Sequence, residues 1–487
     1  MKVSIITEGF ENTGYGHITR CISLYQAFMD RNIYPALYIN GDEKSKSFLS
    51  NVNYELIDWL THPAQLIKKI INSDIVIIDS YNAGKEFYEN ISRFTKILLM
   101  IDDFIRIDYP PGIVLNGSIN AELLPYPKKS NIEYLLGTKY IPIRKAFWEI
   151  TNRKYKSELE SILITFGGQD IRNLTIPVLN AITDYNPELK ISVVFGNKDG
   201  NKYSELKSKY PNAEFYYSIN EYEMKELMIN CDLAISAAGQ TLYELAATGT
   251  PTIAIAVAEN QKNNINEWHK AGFILEPIFY NDINCIKKII EQLNKLKSIR
   301  LRKKLGNNGK IKVDGKGSKK VVNHLIEKYC EEEGFYLRKA IDIDSEPVFN
   351  LSNDPAVRQQ SINKNPITWE EHLQWFNSRI NDKNYLFLLA FDKDDKFIGQ
   401  IRFQIEEESA IVSISITKEF RGKGLSKKII KAACSKLFNE RNIKLIVAYI
   451  LPDNHASING FKSAGFTQIG EENINDEKYL KFVLKRD

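Results

Sequence analysis

The chain has 487 residues, of which 43% are hydrophobic and 26% charged, and 65 Lys+Arg nearly balance 61 Asp+Glu. That length exceeds one ordinary core and fits about three domains. The composition excludes the disordered, fibrous and membrane-embedded classes, and the charge balance gives no argument for nucleic acid as a partner.

The basic stretch at 295–312 reads as a solvated helix face rather than a binding patch. The five cysteines, Cys21, Cys231, Cys285, Cys330 and Cys434, are scattered, with no C-x-x-C pair and no His at metal-ligand spacing. They are expected to be reduced, buried thiols, and no metal is expected. The opening MKVSIITEGF lacks the apolar core and cleavage site of a signal peptide. No segment offers the roughly 18 uninterrupted apolar residues of a membrane helix. These features predict a cytoplasmic protein without a membrane partner.

Apolar runs at 3–7, 36–39, 75–79 and 97–101 alternate with helical patterns at 18–31 and 64–72. Continuous apolar strands between helices predict a parallel sheet covered on both faces. The pattern restarts with strands at 161–165, 190–195, 213–216, 233–236 and 252–255. Residues 1–148 and 149–330 are therefore expected to be two doubly wound α/β domains in tandem, their facing strand ends forming one cleft. After a polar break at 328–334 the style changes. Strands at 335–338, 385–391, 397–404, 410–417 and 445–450 form a meander interrupted by helices at 370–380, 425–438 and 456–464, an α+β domain over 335–487.

Two segments read as strand, glycine turn, helix, an order that aims free N–H groups and a positive helix end at an anion. In the first, Gly14 and Gly16 permit close backbone approach, and His17 opens the helix that also carries Arg20. A helix N-terminus disfavours imidazolium, so His17 is expected neutral and able to act as a base. The other reading is a His that merely caps the helix. The second is Arg421-Gly422-Lys423-Gly424-Leu425-Ser426. Between them, the small-residue turn before Gly239, Gln240 and Thr241 can hold a diphosphate. Glu244, one turn on, can accept hydrogen bonds from ribose hydroxyls or be an ordinary surface residue. Asp102-Asp103 is an acidic pair at a strand end, with loop capping an equal reading.

With these residues in view, GYGHITRC, VIIDSYN, LLGTKYIPIR, ITFGGQDIRNLT, SAAGQTLYELAATGTP and AVAENQ together resemble the nucleotide-sugar hydrolases of pseudaminic acid biosynthesis. The resemblance covers about residues 1–325. It implies two Rossmann-like domains of the glycosyltransferase B type. It also implies attack of water on C1 of UDP-2,4-diacetamido-2,4,6-trideoxy-β-L-altrose, with inversion and release of UDP. It places the active-site His on His17, its neighbouring Tyr on Tyr81, and a sugar-contacting pair on Asn260 and Gln261. Gly168, in the FGGQD motif, joins the UDP-sugar set.

Arg421, Gly424 and Ser426 fit the pyrophosphate loop of the GNAT superfamily of N-acetyltransferases. The segment around Asn454, Ser457 and Phe461 resembles that family's second signature. The resemblance implies acetyl-CoA as co-substrate, with Ile414 and Ile416 on an opened strand meeting its pantetheine arm and Gly422, Lys423 and Leu425 completing the turn. Phe461 stands where many members carry a proton-donating Tyr. His455 and the run Glu406, Glu407 and Glu408 are candidate proton carriers, each also readable as an ordinary loop residue. YLRKAIDID, ITWEEHLQWF, LFLLAF and FIGQIRF resemble the acetyltransferase of the same pathway. It acts on the 4-amino group of UDP-4-amino-4,6-dideoxy-N-acetyl-β-L-altrosamine and produces the hydrolase's substrate. Two other readings stand: a UDP-sugar glycosyltransferase, and a C-terminal domain that binds CoA or dimerises without turnover. Oligomeric state is not readable from the sequence.

Overall fold

A computed structural model describes residues 1–10, 14–49, 52–150, 153–167, 170–196 and 203–486. The chain separates into two compact units, Lys2–Val322 and Asn323–Asp487.

The first unit holds two parallel sheets. One is built from β1 (Val3–Gly9), β2 (Ala36–Gly41), β3 (Tyr54–Leu56), β4 (Ile75–Asp79), β5 (Ile97–Ile101), β6 (Gly112–Asn116) and β7 (Ile132–Leu136), in the order β3-β2-β1-β4-β5-β6-β7. The other holds β8 (Ser161–Thr165), β9 (Lys190–Phe195), β10 (Ala213–Tyr217), β11 (Leu233–Ala237), β12 (Thr252–Ala256) and β13 (Ile278–Phe279), in the order β10-β9-β8-β11-β12-β13. Strands β1, β4, β5, β11 and β12 are buried at every residue, which is why they read as unbroken apolar runs. Strand order reverses between β1 and β4, and again between β8 and β11. At such a reversal the connecting helices leave on opposite faces, and a crevice opens beyond the strand ends. The helix Gly16–Met29 follows β1, and the helix Gln240–Ala247 follows β11. Both glycine turns of this unit therefore sit at the reversal points.

Strands β3, β6, β7 and β13 were not expected from the apolar pattern. Two of them, β3 and β13, have only three and two residues. In β7 the buried residues do not form a run.

The second unit carries β14 (Tyr336–Lys339), β15 (Tyr385–Phe391), β16 (Phe397–Glu406), β17 (Ser409–Ile416), β18 (Leu445–Ile450), β19 (Thr467–Ile474) and β20 (Glu477–Lys485), in the order β14-β15-β16-β17-β18-β20-β19. Its pairings are antiparallel except β17 with β18, whose crossover is the helix Leu425–Glu440. Ile401, Phe403, Ile429, Ala433, Leu437 and Phe482 share one core between the sheet and its helices. The terminal hairpin β19–β20 escaped the sequence reading because β19 is exposed along nearly its whole length and lacks an apolar face.

The helix Ile299–Lys312 packs against Gln240–Ala247 through glycine. A Cβ at Gly306 would lie 2.2 Å from the carbonyl oxygen of Gly249 and 2.1 Å from the Tyr155 hydroxyl. Tyr155 in turn donates to that carbonyl at 2.9 Å. Gly306→Ala is expected to destabilise the first unit by about 1–3 kcal/mol through overpacking. Urea denaturation checks this, and an unchanged midpoint would contradict the close approach.

Candidate functional sites

The first site is centred on Asp79, the last residue of β4 and fully buried. The Nδ1 of His17 lies 2.6 Å from Asp79 Oδ1. Arg20, one turn along the same helix, donates from Nε to Oδ2 at 2.5 Å and from Nη2 to Oδ1 at 2.6 Å. Its Nη1 donates to both oxygens of Asp103, at 2.8 and 3.0 Å. Tyr81 donates its hydroxyl to Asp103, and its ring stands edge-on to His17 with centroids 4.2 Å apart. An i, i+3 spacing on one helix brings His17 and Arg20 to the same carboxylate.

An ionised carboxylate only accepts, so Asp79 selects the Nδ1–H tautomer of His17 and leaves Nε2 as the acceptor. Burial pushes the Asp79 carboxyl up, but the Arg20 guanidinium and His17 outweigh it and hold it well below the usual carboxylate range. Asp103 follows the same logic: burial raises it and Arg20 brings it down. Burial, with Asp103 beside it, pushes the Tyr81 phenol far up. Tyr81 is therefore a neutral hydroxyl whose proton is already committed, and toward a ligand its oxygen is an acceptor.

The loop that carries Tyr81 is itself held. Glu8, at the end of β1, accepts from Ser80 Oγ at 2.6 Å, from the Tyr81 amide at 2.8 Å and from Asn82 Nδ2 at 3.0 Å. The acidic pair divides in role. Asp102 caps its own loop, accepting from the amides of Ile105 and Arg106 at 2.7 and 3.0 Å and from the hydroxyls of Tyr109 and Tyr126. Asp103 belongs to the site. Gly14 has φ +84°, and among the described residues nothing beyond the chain neighbours lies within 4 Å of a Cβ built on Gly14 or Gly16. Sequence reasoning gave no role to Asp79 or Glu8, and noted Asp103 only as half of an acidic pair. The available signal was an acidic residue ending, or immediately following, an apolar parallel strand beside a reversal of strand order.

In the second half, Gly239 precedes the helix Gln240–Ala247, with Thr241 in its first turn. Glu244 is buried and gripped by Arg144, whose Nε and Nη2 each donate to one carboxylate oxygen at 2.7 Å. The carboxylate expected to meet a ligand is thus occupied from within the chain. Gln240 Nε2 donates to the Pro142 carbonyl at 2.9 Å, and Gln261 Oε1 accepts from the Val257 amide at 2.9 Å. Asn260 is exposed at the start of the helix Gln261–Lys270. Gly168 lies outside the described residues.

In the second unit the two signature segments meet. Gly422 and Gly424 take the left-handed φ values +76° and +72° with nothing within 4 Å of a built Cβ, and Gly424 caps the helix Leu425–Glu440. A Cβ on Gly460 would stand 3.3 Å from Ser426 Oγ, so the helix His455–Ser463 lies against the turn. Asn454 caps that helix by accepting from the Ser457 amide at 3.1 Å. Strand β17 pairs with β18 only over residues 409–411 and with β16 along its whole length. Ile414 and Ile416 therefore lie where one strand edge is open. Lys423 Nζ sits 4.7 Å from the Phe420 ring centroid. Arg421 turns back on its own chain, with Nε donating to the Ile416 carbonyl at 2.8 Å and Nη2 2.9 Å from Asp354.

Glu406, Glu407 and Glu408 form the β16–β17 hairpin at the paired end of β17, about 3.3 Å per residue away along the strand from the open Ile416 end. Phe461 is buried in the core against Phe466, with ring centroids 5.0 Å apart, and His455 is exposed. Among the described residues no group of three or more His, Cys, Asp and Glu could hold a metal ion, and no helix is long and apolar enough to cross a membrane.

Because Asp79 titrates lower folded than its unfolded value of about 3.9, the unfolded chain binds the extra proton first. Its stabilisation is complete above that pH and is lost as pH falls toward the folded value. The acid limb of the stability–pH profile should flatten in Asp79→Asn. Urea melts between pH 3 and pH 7 read this, and a variant with an unchanged acid slope would remove Asp79 as a source of it.

Residues 161–324 match the model of the glycosyltransferase family 28 C-terminal domain, and residues 335–467 that of the acetyltransferase (GNAT) domain. The chain is 27% identical to an uncharacterized protein of Methanocaldococcus jannaschii, over 97% of this chain and 98% of that one. Over 56% of its length it is 27% identical to a Helicobacter pylori protein named pseudaminic acid cytidylyltransferase and UDP-2,4-diacetamido-2,4,6-trideoxy-beta-L-altropyranose hydrolase, 47% of which is covered. Over 26% it is 28% identical to acetyltransferase PseH of Campylobacter jejuni, covering 78% of that protein. In one polypeptide the chain joins a two-sheet half of the glycosyltransferase B type, which matches the family 28 C-terminal domain over residues 161–324, to a GNAT-type α+β half, which matches the acetyltransferase domain over residues 335–467.

Proposed function

We propose that the chain carries out two consecutive reactions on a nucleotide-linked amino sugar. The C-terminal domain transfers acetyl from acetyl-CoA to the 4-amino group of UDP-4-amino-4,6-dideoxy-N-acetyl-β-L-altrosamine. The N-terminal half then hydrolyses the product at C1, releasing UDP and 2,4-diacetamido-2,4,6-trideoxy-L-altrose with inversion. The names of the Helicobacter and Campylobacter relatives support this pairing. The observation that carries the hydrolytic step is the buried His17–Asp79 contact at 2.6 Å, at the reversal of strand order.

In this reading His17 Nε2 takes a proton from water as the water oxygen attacks C1. The C1–O bond breaks and its electron pair leaves with the UDP β-phosphate. The amides of residues 239–241 and the helix start hold the leaving charge. Asp79 stabilises the imidazolium that forms, and Arg20 prevents Asp79 from taking the proton itself. Tyr81, its own proton given to Asp103, accepts a hydrogen bond from the water or a sugar hydroxyl and so orients it. Asn260 and Gln261 are assigned to the sugar. Residues 1–148, 149–330 and 335–487 are the working domains.

In the C-terminal domain the turn at 421–426 receives the pyrophosphate of acetyl-CoA on its backbone amides, and the open edge of β17 receives the pantetheine amides. The amine attacks the thioester carbonyl, the C–S bond breaks, the thiolate leaves with CoA, and the proton lost from the attacking nitrogen passes through water to the CoA sulfur, giving the amide and CoA thiol. Phe461 donates no proton in this step. A glycosyltransferase that passes the sugar to an acceptor is the second reading, favoured by the family 28 match over residues 161–324.

The test is a one-pot NMR time course with the protein, acetyl-CoA and the 4-amino sugar nucleotide, beside His17→Ala. Wild type is expected to yield free diacetamido sugar and UDP, while the variant accumulates the acetylated UDP-sugar with turnover reduced by about 10²-fold or more. Release of UDP only when an acceptor is added would favour the glycosyltransferase. UDP release without prior acetylation would break the order of steps.

A further inference from the structure

Three successive residues hold both helices of the first unit's sites. The Pro142 carbonyl accepts from Gln240, the Ile143 carbonyl accepts from Ser23 Oγ at 2.5 Å, and Arg144 grips Glu244. Ser23 lies on the helix that begins at Gly16 and carries His17, whereas Gln240 and Glu244 lie on the helix after β11. Arg144 leads out of the stretch that follows the short turn Thr138–Tyr140, and its guanidinium carbon rests 5.3 Å from the Phe147 ring centroid.

The Glu244 side chain is 3% exposed and that of Arg144 is 25% exposed. A carboxylate offers about four lone-pair positions, and the guanidinium fork takes one on each oxygen. With so little surface left, a ribose diol has no open approach to Glu244 while the fork is in place. The more exposed partner is the one that can leave, and it carries a positive charge one helical turn from the amides of residues 239–241.

We infer that Arg144 is a latch on the nucleotide site: it holds Glu244 and yields that carboxylate to the vicinal hydroxyls of a ribose, its freed guanidinium then pairing with the diphosphate. This rests on reading residues 239–244 as the nucleotide site. A nucleoside without phosphates bears the whole cost of opening the latch, and a nucleoside diphosphate recovers part of it. The affinity of a ligand for a site open only a fraction of the time falls by that fraction.

Calorimetric titration of the full chain with uridine and with UDP tests the latch. Arg144→Ala should bind uridine about tenfold tighter than wild type, as expected for a site open roughly one-tenth of the time. Its gain for UDP should be smaller, so the preference for UDP over uridine narrows. Arg144→Gln, which keeps a hydrogen-bonding partner beside Glu244, should show the same direction and carries the test if Arg144→Ala does not fold. Glu244→Ala should weaken uridine. If both Arg144 variants bind uridine no tighter than wild type, the pair is structural and the latch is overturned. If wild type binds neither uridine nor UDP, the nucleotide reading itself fails and the latch with it.

Discussion

The buried carboxylate of Asp79 is the constraint on which the N-terminal site depends. A fully buried, unpaired carboxylate would cost several kcal/mol, so the fold must deliver cations to it. One cation, Arg20, and one N–H donor, the His17 Nδ1–H, come from a single helical turn, because the helix follows β1, next to β4 in the sheet. The same pairing sets the imidazole tautomer, commits the Arg20 guanidinium between Asp79 and Asp103, and through Asp103 fixes the Tyr81 phenol. Stability and chemistry therefore share one network, and no member can change without altering the others.

The second constraint is backbone approach. The left-handed glycines at 422 and 424, and the close packing at Gly306 beside the helix Gln240–Ala247, put main-chain groups where side chains would block them. The glycine turns of the two units use the same physics in different settings. One lies at a reversal in a parallel sheet. The other lies where a parallel pair splays open within an otherwise antiparallel sheet.

Much of this was legible in the sequence because buried parallel strands are unbroken apolar runs. Strands β4, β5, β8 and β9 fall where those runs fall. Two edge strands did not announce themselves, since β3 is too short and β19 has no apolar face. Among site residues, the glycine turns and His17 stood out by local spacing. Asp79 did not: its partners lie 59 and 62 positions away, and only the strand order brings them together. Arg144 sat inside a quoted motif without a role, because its partner Glu244 is 100 positions distant. The Glu run at 406–408 joins β16 to β17 as the hairpin that its polar composition allowed. Local signals thus located the turns, and long-range pairings determined what each charge does.

The account's central claim is that His17 directs water to the anomeric carbon. Hydrolysis of the acetylated UDP-sugar in ¹⁸O-labelled water, read by mass spectrometry of both products, tests it most directly. The account predicts the label on C1 of the released sugar and unlabelled UDP. Label in the β-phosphate of UDP would mean that water attacks phosphorus, and it would contradict the assignment of His17 and the site built around it.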